Sequence, residues 1–461
     1  MTDTTTSPAL DELAAQLTGD LLLPGTDAYA ELATPWNLAV PSRPIAVAAV
    51  ADAEDVQHVL RWASRTGTPV AVRATGHGAV DALDGVVLVH TGRLAEIAIS
   101  PTGTARIGAG VTAQALSAAA AAHGFAPLLG SAPTVGVVGL LTGGGLGPLA
   151  RSHGVCSDRV TAFDLVTGLG DLLHVTAETH PDLFWGLRGG KGALGVVTAV
   201  ELALLPDDVI LAGSVFFDGA DAAVVLHAWA EWCPGLPDAA TTSVALQRLP
   251  DLPFIPAPIA GRLTVAVRFA WTGDERAGRE ALAPMLRVAA PVLGGVQPMP
   301  TSAVGAIHGD PVQPTPAAER SAMLRGLPRA AVDALLGAAG PQTECTLLLA
   351  ELRQLGGRVA HAPEAEDLFP GREVAFAANA IGISAGPAAA ATERDAAAVV
   401  ERLRPWSTGG RVPNFEPTVD PDAILATYGR PSIERLRALV ERVDPSCVLA
   451  AAAPVRRIAL G

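Results

Sequence analysis

Between residues 44 and 206, short apolar runs alternate with longer amphipathic stretches. PIAVAAV (44–50), TPVAVRA (68–74), GVVLVHT (85–91) and TARIGAG (104–110) predict strands. DAEDVQHVLRWASRTG (52–67) predicts a helix. Its apolar residues recur every three or four positions, acids fill its first turn and Gly67 stands at its end. TAQALSAAAAAHG (112–124) predicts another, stopped by Gly124. RVTAFDLVT (159–167) and DLLHVTA (171–177) predict a hairpin, and VVTAVELALLP (196–206) closes the region. Ahead of it, DELAAQLTGDLLL (11–23) has helical spacing.

Beyond Pro206 the pattern changes. LAGSVFF (211–217), TSVALQRL (242–249), GRLTVAVRFAW (261–271) and TECTLLLAELRQL (343–355) read as longer, half-alternating strands. Alanine-rich helices are expected near 220–232, 274–288 and 316–339, and a further helix at SIERLRALVERVDP (432–445). APEAEDLFPGRE (362–373) reads as a surface loop. Strands with helices segregated to one side predict an α+β second domain. The expected division is a helical lead-in over 1–40, a first domain over 41–206, a second over 207–410 and a closing segment over 411–461.

Composition agrees with this division. A chain of 461 residues exceeds what one core accommodates, and 49% hydrophobic residues supply ample burial. A net charge of −14 without a compensating basic patch disfavours nucleic acid and anionic membranes. No apolar run is long enough to span a bilayer. The first residues, MTDTTTSPALDELAAQL, lack a basic n-region and an apolar h-region, so no signal peptide is expected. Cys156, Cys233, Cys345 and Cys447 form no CxxC pair, so reduced thiols in a cytoplasm are the expectation. The scattered histidines contain no HExxH, and no metal is expected.

Two glycine-rich segments carry the candidate chemistry. RATGHGA (73–79) places His77 between residues with almost no side chain. GSAPTVGVVGLLTGGGLG (130–147) is too rich in glycine for a core strand or a stable helix. Successive free N–H groups in such loops make nests for phosphate oxygens, whereas the plainer reading is close packing against a neighbouring strand. GLRGGKG (186–192) fails as a P-loop, because Gly192 stands where a hydroxyl must hold magnesium. TGGGLG (142–147) has the wrong spacing for a dinucleotide fingerprint. What remains is a pair of loops clasping one pyrophosphate, with Arg73 or loop amides neutralising it.

These residues resemble a known family. The span from Trp36-Asn37 to Leu205-Pro206 resembles the FAD-binding domain of the vanillyl-alcohol oxidase (PCMH) type, and more closely its berberine-bridge-enzyme-like branch. RATGHGA is similar to the branch's R-x-G-G-H loop, with Thr75 in place of a glycine. APTVGVVGLLTGGGLG is similar to its C-P-T-V-G…GGG-x-G stretch, and DLFWGLRGGKGALGVVT (182–198) to DLFWALRGGGGNFGVVT. LAELRQLGG (350–357) resembles a substrate-domain strand, and YGRPSIERLRALVERVDP (428–445) the C-terminal cap. The resemblance implies an α+β fold: a two-subdomain FAD-binding domain over 41–206, then a substrate domain whose antiparallel sheet is covered by helices. It further implies that the closing segment returns to the FAD domain. It places FAD contacts at Arg73, Thr75, Gly76, His77, Gly78, Ala79, Pro133, Thr134, Val135, Gly136, Val137, Gly139, Thr142, Gly143, Gly145, Val197 and Asn414. His77 falls on the position bonded to the flavin 8α carbon.

Three departures shape the expectation. Ala132 stands where many relatives carry a second, cysteinyl flavin link, so one covalent bond is expected. The family's Y-x-N-Y, whose first Tyr is assigned the role of substrate base, reads VPNF (412–415) here; Val412 has no acid-base capacity and Phe415 has no hydroxyl. Glu351, Arg353, Asn414 and His308 are the substitute candidates, with an ion-pair network as the alternative for the first two. Lys191-Gly-Ala-Leu replaces Gly-Gly-Asn-Phe, with adenine-side contacts as the expected consequence. Val137 stands where the family gates oxygen, which leans towards an oxidase. The expectation is therefore an FAD-dependent oxidoreductase that passes substrate hydride to flavin N5, with oxygen as reoxidant. Its substrate is expected to be a small apolar or secondary-metabolite molecule, since aromatic residues make up only 4% and sugar sites favour aromatic platforms. The alternative is a non-redox flavin-holding cyclase or a binding scaffold that has lost its base.

Overall fold

The computed structural model describes residues 8–80, 82–416, 418–449 and 455–456. The first sheet runs Asp20–Leu22, Ala46–Ala49, Val87–His90, Val70–Arg73 in spatial order, and its last three strands are parallel. The helix Ala53–Thr66 joins two of them. Asp52 caps its N-terminus and Gly67, at φ +70°, ends it as its sequence predicts. The lead-in over 1–40 is not a separate helical piece. Its first helix stops at Ala14, and Asp20–Leu22 pairs antiparallel with Ala46–Ala49 as the edge of this sheet. The Asp55 carboxylate explains the break: it accepts from the amides of Thr18 (2.7 Å) and Gly19 (2.9 Å), which a continuing helix would have used internally.

The second sheet, Ile97–Ile99, Thr104–Gly108, Val196–Ala203, Val160–Val166 and Leu172–Val175, is antiparallel throughout and contains the expected hairpin. Leu205–Pro206 pairs with Phe125–Ala126, and the next strand starts at Val209, so the second domain begins where the pattern changes.

That domain is one seven-stranded antiparallel sheet. Its order is Pro291–Pro300, Val209–Asp218, Leu263–Trp271, Ala240–Arg248, Leu349–Gln354, Phe376–Ile383, Ala317–Leu324. Helices Ala222–Trp232, Glu275–Leu286, Arg329–Ala339 and Ala389–Leu403 bury one face with Val215, Phe217, Val267, Phe269 and Leu352. Trp229, Phe217 and Phe269 are fully buried there, each worth ~2–3 kcal/mol of apolar transfer. The stretch 316–339 is a correction: Ala317–Leu324 is a strand, and only Arg329–Ala339 is helical. Alanines concealed the alternation, and pairing with Phe376–Ile383 decided the outcome.

The other face is polar. Alternation and register set Ser214, Arg268, Ser243 and Arg353 opposite one another, and Glu351, Asn379 and Ser321 likewise. This face meets the first domain. The 362–373 segment is a loop exposed at Glu364, Glu366 and Glu373, but its second half turns inward. Leu368 and Phe369 are buried, and Arg372 bridges Asp158 and Asp367. The closing segment returns to the first domain: helix Arg430–Val443 sets Ile433, Leu436 and Val440 into its core. Arg456 reaches back to Asp444 and to the Ala193 carbonyl.

Candidate active site

The loop after strand Val70–Arg73 is held from below. Arg73 is buried and donates to the Ala33 carbonyl (2.6 Å) and Ser42 Oγ (3.1 Å), and desolvation lowers its pKa to about 10. Its Nη1 and Nη2 thus brace the loop from beneath. The Thr75 carbonyl accepts from the Trp36 amide (3.0 Å). Gly76 sits at φ +84°, and a Cβ there would lie 2.8 Å from Pro35, so glycine is required. This close approach lets the Trp36 indole stack on His77, with centroids 4.2 Å apart and planes at 17°.

His77 joins the two loops. Its Nδ1 lies 3.0 Å from Thr75 Oγ1 and its Nε2 lies 3.0 Å from Thr134 Oγ1. The Gly136 amide donates to Thr75 Oγ1 (3.3 Å). Desolvation pushes the His77 pKa down to about 4, against an opposing pull from Asp310, so the imidazole is neutral at neutral pH. The amides of Thr75, Gly76, His77 and Gly78, and of Ser131, Ala132, Thr134 and Val135, have no acceptor among the described residues. Two strips of free donors meeting at a neutral histidine fit a cofactor that carries a pyrophosphate at one end and an electrophilic ring edge at the other.

The rest of the glycine segment behaves differently. Val137–Leu141 forms a short helix where none was expected. Val137 is fully enclosed in the core, which leaves it no surface for gating oxygen. Val197 is likewise enclosed, opposite Leu165. Every residue from Leu141 to Ala150, including Thr142, is buried. The Cβ missing from Gly143 would land on Asn414, that of Gly144 on the Phe369 ring, that of Gly145 on Cys156 and that of Gly147 on the Leu129 carbonyl. Only Gly139 faces open space. Lys191 adopts φ +57° and reaches Asn414 Oδ1 and the Gly139 carbonyl (3.4 Å); burial lowers its pKa to about 8. Asn414 in turn donates to the Leu140 carbonyl (2.9 Å). Lys191 therefore ties the glycine helix to the closing segment.

On the polar face, Glu351 accepts from Ser243 Oγ (2.8 Å), Arg268 Nη1 (2.7 Å) and Arg353 Nε (2.7 Å), with His308 Nε2 at 3.6 Å. Burial raises its pKa, but Arg353, Arg268 and His308 together hold it well below the usual carboxylate range. A saturated anion of this kind is a poor base, so Glu351 and Arg353 sit in the ion-pair network. Arg353 also stacks on Phe415 (4.7 Å) and donates to Leu146, strapping the sheet to the glycine segment. Val412 is apolar bulk, 2% exposed, among Phe369, Met323 and Leu146. Its amide donates to Ser321 Oγ (3.0 Å).

Two residues were missed by sequence reasoning. Glu319 lies on the same strand face as Ser321, two residues away, and accepts from the Asn379 side-chain amide; burial pushes its pKa up to about 8. Asp310 accepts from Ser131 Oγ beside the His77 loop. Glu319 was hidden inside the stretch read as helix. Had that stretch been read as a strand, Ala317, Glu319, Ser321 and Met323 would have fallen on one face.

Known proteins match this architecture. A family model described as "FAD binding domain" matches residues 44–176. The (R)-6-hydroxynicotine oxidase of Paenarthrobacter nicotinovorans is 34% identical over 189 residues, 40% of this chain and 41% of that protein, so the alignment spans less than half of the relative's length. The solved structure of Physcomitrella patens BBE-like 1 superimposes with a TM-score of 0.83 at 19% identity, covering 96% of this chain and 97% of that one. That of 6-hydroxy-D-nicotine oxidase from Arthrobacter nicotinovorans does so with a TM-score of 0.78 at 22% identity, covering 94% and 96%. Residues 44–176 thus match an FAD binding domain, and the whole chain has the fold seen in the BBE-like 1 structure.

Proposed function

We propose that this chain is an FAD-dependent oxidase that holds its flavin through one covalent bond at His77 and oxidises a small substrate, with oxygen as the final acceptor. The observation that carries the reading is the setting of His77. It is a neutral imidazole, locked between two hydroxyls and an indole, with bare glycines on both sides and free amides along both loops. A neutral ring nitrogen has the lone pair that a bond to an electrophilic flavin carbon requires, and desolvation keeps it neutral. Thr75 and Thr134 fix the ring plane, and either hydroxyl can accept a hydrogen bond from the protonated ring nitrogen.

Thr75 to Ala79, Pro133 to Gly136 and Gly139 would hold the cofactor, which supplies a two-electron acceptor when bound. Ala132 offers no thiol, and Cys156, the next cysteine in the chain, is buried with its thiol pushed up by desolvation. A single link follows. The redox name of the nicotine-oxidising relative supports this reading over the non-redox scaffold. Cys156, Cys233, Cys345 and Cys447 are all free, which supports a cytoplasmic setting. No helix among the described residues is long and apolar enough to cross a membrane.

The test is to purify the protein, precipitate it in acid and follow the yellow colour. Colour retained in the pellet, and released to the supernatant in His77→Ala, is the expected result. Colour released by the wild type removes the covalent bond, and a colourless protein that takes up no added FAD removes the oxidase.

A further inference from the structure

Two residues of the lead-in run between the His77 loop and the second domain. Trp36 and Asn37 lie between residues 75–76 and residues 315–317 like one more short strand. On the loop side, the Trp36 amide donates to the Thr75 carbonyl (3.0 Å) and the Asn37 amide to the Gly76 carbonyl (3.5 Å). On the other side, the Trp36 carbonyl accepts from the Thr315 amide (3.0 Å), the Leu38 amide donates to the Thr315 carbonyl (3.2 Å), and Asn37 pairs parallel with Thr315. The Asn37 side chain then closes on Ala317, where the edge strand of the seven-stranded sheet begins. Its Nδ2 donates to the Ala317 carbonyl (3.1 Å) and its Oδ1 accepts from the Ala317 amide (2.9 Å). A side-chain amide carries one donor and one acceptor side, so it meets a strand edge as a neighbouring strand would. An aspartate or an alanine at this position could not make both bonds.

Trp36 spends its ring differently. A buried indole N–H ordinarily finds an acceptor. Trp36 Nε1 is enclosed and has none among the described residues. The ring lies flat on His77 instead, with centroids 4.2 Å apart and planes at 17°. Its placing is therefore set by the backbone of the strap and by the histidine face. That face matters for the chemistry at His77. A nitrogen lone pair lies in the imidazole plane, so the plane sets the direction of attack. Thr75 and Thr134 each hold one ring nitrogen, and one of them must let go when that nitrogen forms a bond. The indole occupies neither nitrogen, so it restrains the ring before, during and after the bond is made.

We propose that Trp36 and Asn37 are positioning residues for the covalent step at His77: Asn37 grips the edge of the seated second domain, Trp36 turns that docking into a fixed imidazole plane, and the flavin bond closes at full rate only when the two domains are joined. The inference rests on the flavin reading above. The step balances without either residue gaining or losing an atom. A ring nitrogen of His77 bonds to the flavin 8α carbon, the imidazole N–H and one 8α C–H are lost, and the two protons and two electrons pass to oxygen as hydrogen peroxide. Trp36 and Asn37 supply orientation, and its loss is felt as rate.

The test compares wild type with Trp36→Leu, Trp36→Phe and Asn37→Ala, each full-length and produced in riboflavin-limited cells. FAD is added in air. Total bound flavin per folded chain is read from absorbance, and the covalent part from the yellow colour that stays in an acid pellet over time. Leucine keeps apolar bulk and loses the flat face, phenylalanine keeps a face, and Asn37→Ala removes both bonds to Ala317 without altering a side chain that touches His77. Trp36→Leu and Asn37→Ala are expected to bind as much total flavin as wild type and to form the acid-stable fraction at least about tenfold more slowly, with Trp36→Phe restored to within about threefold. A wild-type rate in either slow variant, a Trp36→Phe rate as low as that of Trp36→Leu, or total flavin falling in step with the covalent fraction overturns the proposal. Asn37→Ala carries the test by itself should Trp36→Leu not fold. Wild-type protein that forms no acid-stable flavin would instead overturn the covalent reading of His77, a separate result.

Discussion

The loop 73–79 and the segment 142–147 look alike as strings and do opposite work. In the first, glycine flanks a side chain that faces outward, and the backbone amides around it are unspent. In the second, each missing Cβ is accounted for by a neighbouring protein atom: the Phe369 ring at Gly144, Cys156 at Gly145, the Leu129 carbonyl at Gly147. In one place glycine brings the Trp36 indole onto His77 beside unspent amides, and in the other it only lets two parts of the protein touch. The difference teaches that glycine density reports close approach but not what approaches.

The sharpest way to break this comparison is Gly147→Ala. Its Cβ would strike backbone that cannot move aside, so a loss of ~4 kcal/mol or no folded protein is expected from thermal melts and soluble yield. Phe369→Ala comes next. It opens a void over Gly144 and costs ~3–4 kcal/mol, while flavin content per folded molecule stays at the wild-type level. A fall in flavin content proportionate to Gly139→Ala would make the second segment a ligand loop after all.

The pH dependence of stability is a smaller effect and separates two titrating groups. His77 has a folded pKa of about 4, below its ordinary value of 6.5, so its contribution is present above pH 6.5 and is lost as pH falls towards 4. Denaturant melts of wild type and His77→Gln should diverge at neutral pH and converge in acid. Glu319 has the opposite sense. Its carboxyl is raised from 4.5 to about 8, so the folded state is penalised increasingly as pH rises through that window. Glu319→Gln should be more stable than wild type at pH 8.5, with the advantage gone below pH 4.5. The smallest effect on stability belongs to Gly139→Ala. With no atom within 4 Å it should change stability by less than ~0.5–1 kcal/mol, yet weaken FAD retention on dilution.

Much of the fold was legible because local rules agreed with the tertiary answer. The Asp52 cap and Gly67 stop bound a helix, and the Val160–Val166 and Leu172–Val175 hairpin was written in alternation. The failures have a common cause. Ala317–Leu324 looked helical because alanine is silent about strands, and only its partner Phe376–Ile383 made it one. The 362–373 segment looked exposed throughout because it is acidic and contains proline, yet in its second half Arg372 neutralises Asp367 and Phe369 fills the space over Gly144.

The sequence by itself determined the α+β plan, the change of pattern near Pro206, the glycine-flanked placing of His77 and the absence of a thiol at Ala132. These depend on residue type and short-range spacing, which a string carries in full. Only the tertiary structure decided which glycines face open space and which face protein, that Glu351 is spent in an ion-pair network, and that Trp36 and Asn37 join His77 to the second domain. Those properties belong to neighbours brought together by sheet register and by the meeting of two domains. Whether a charge is satisfied depends on what the fold sets beside it.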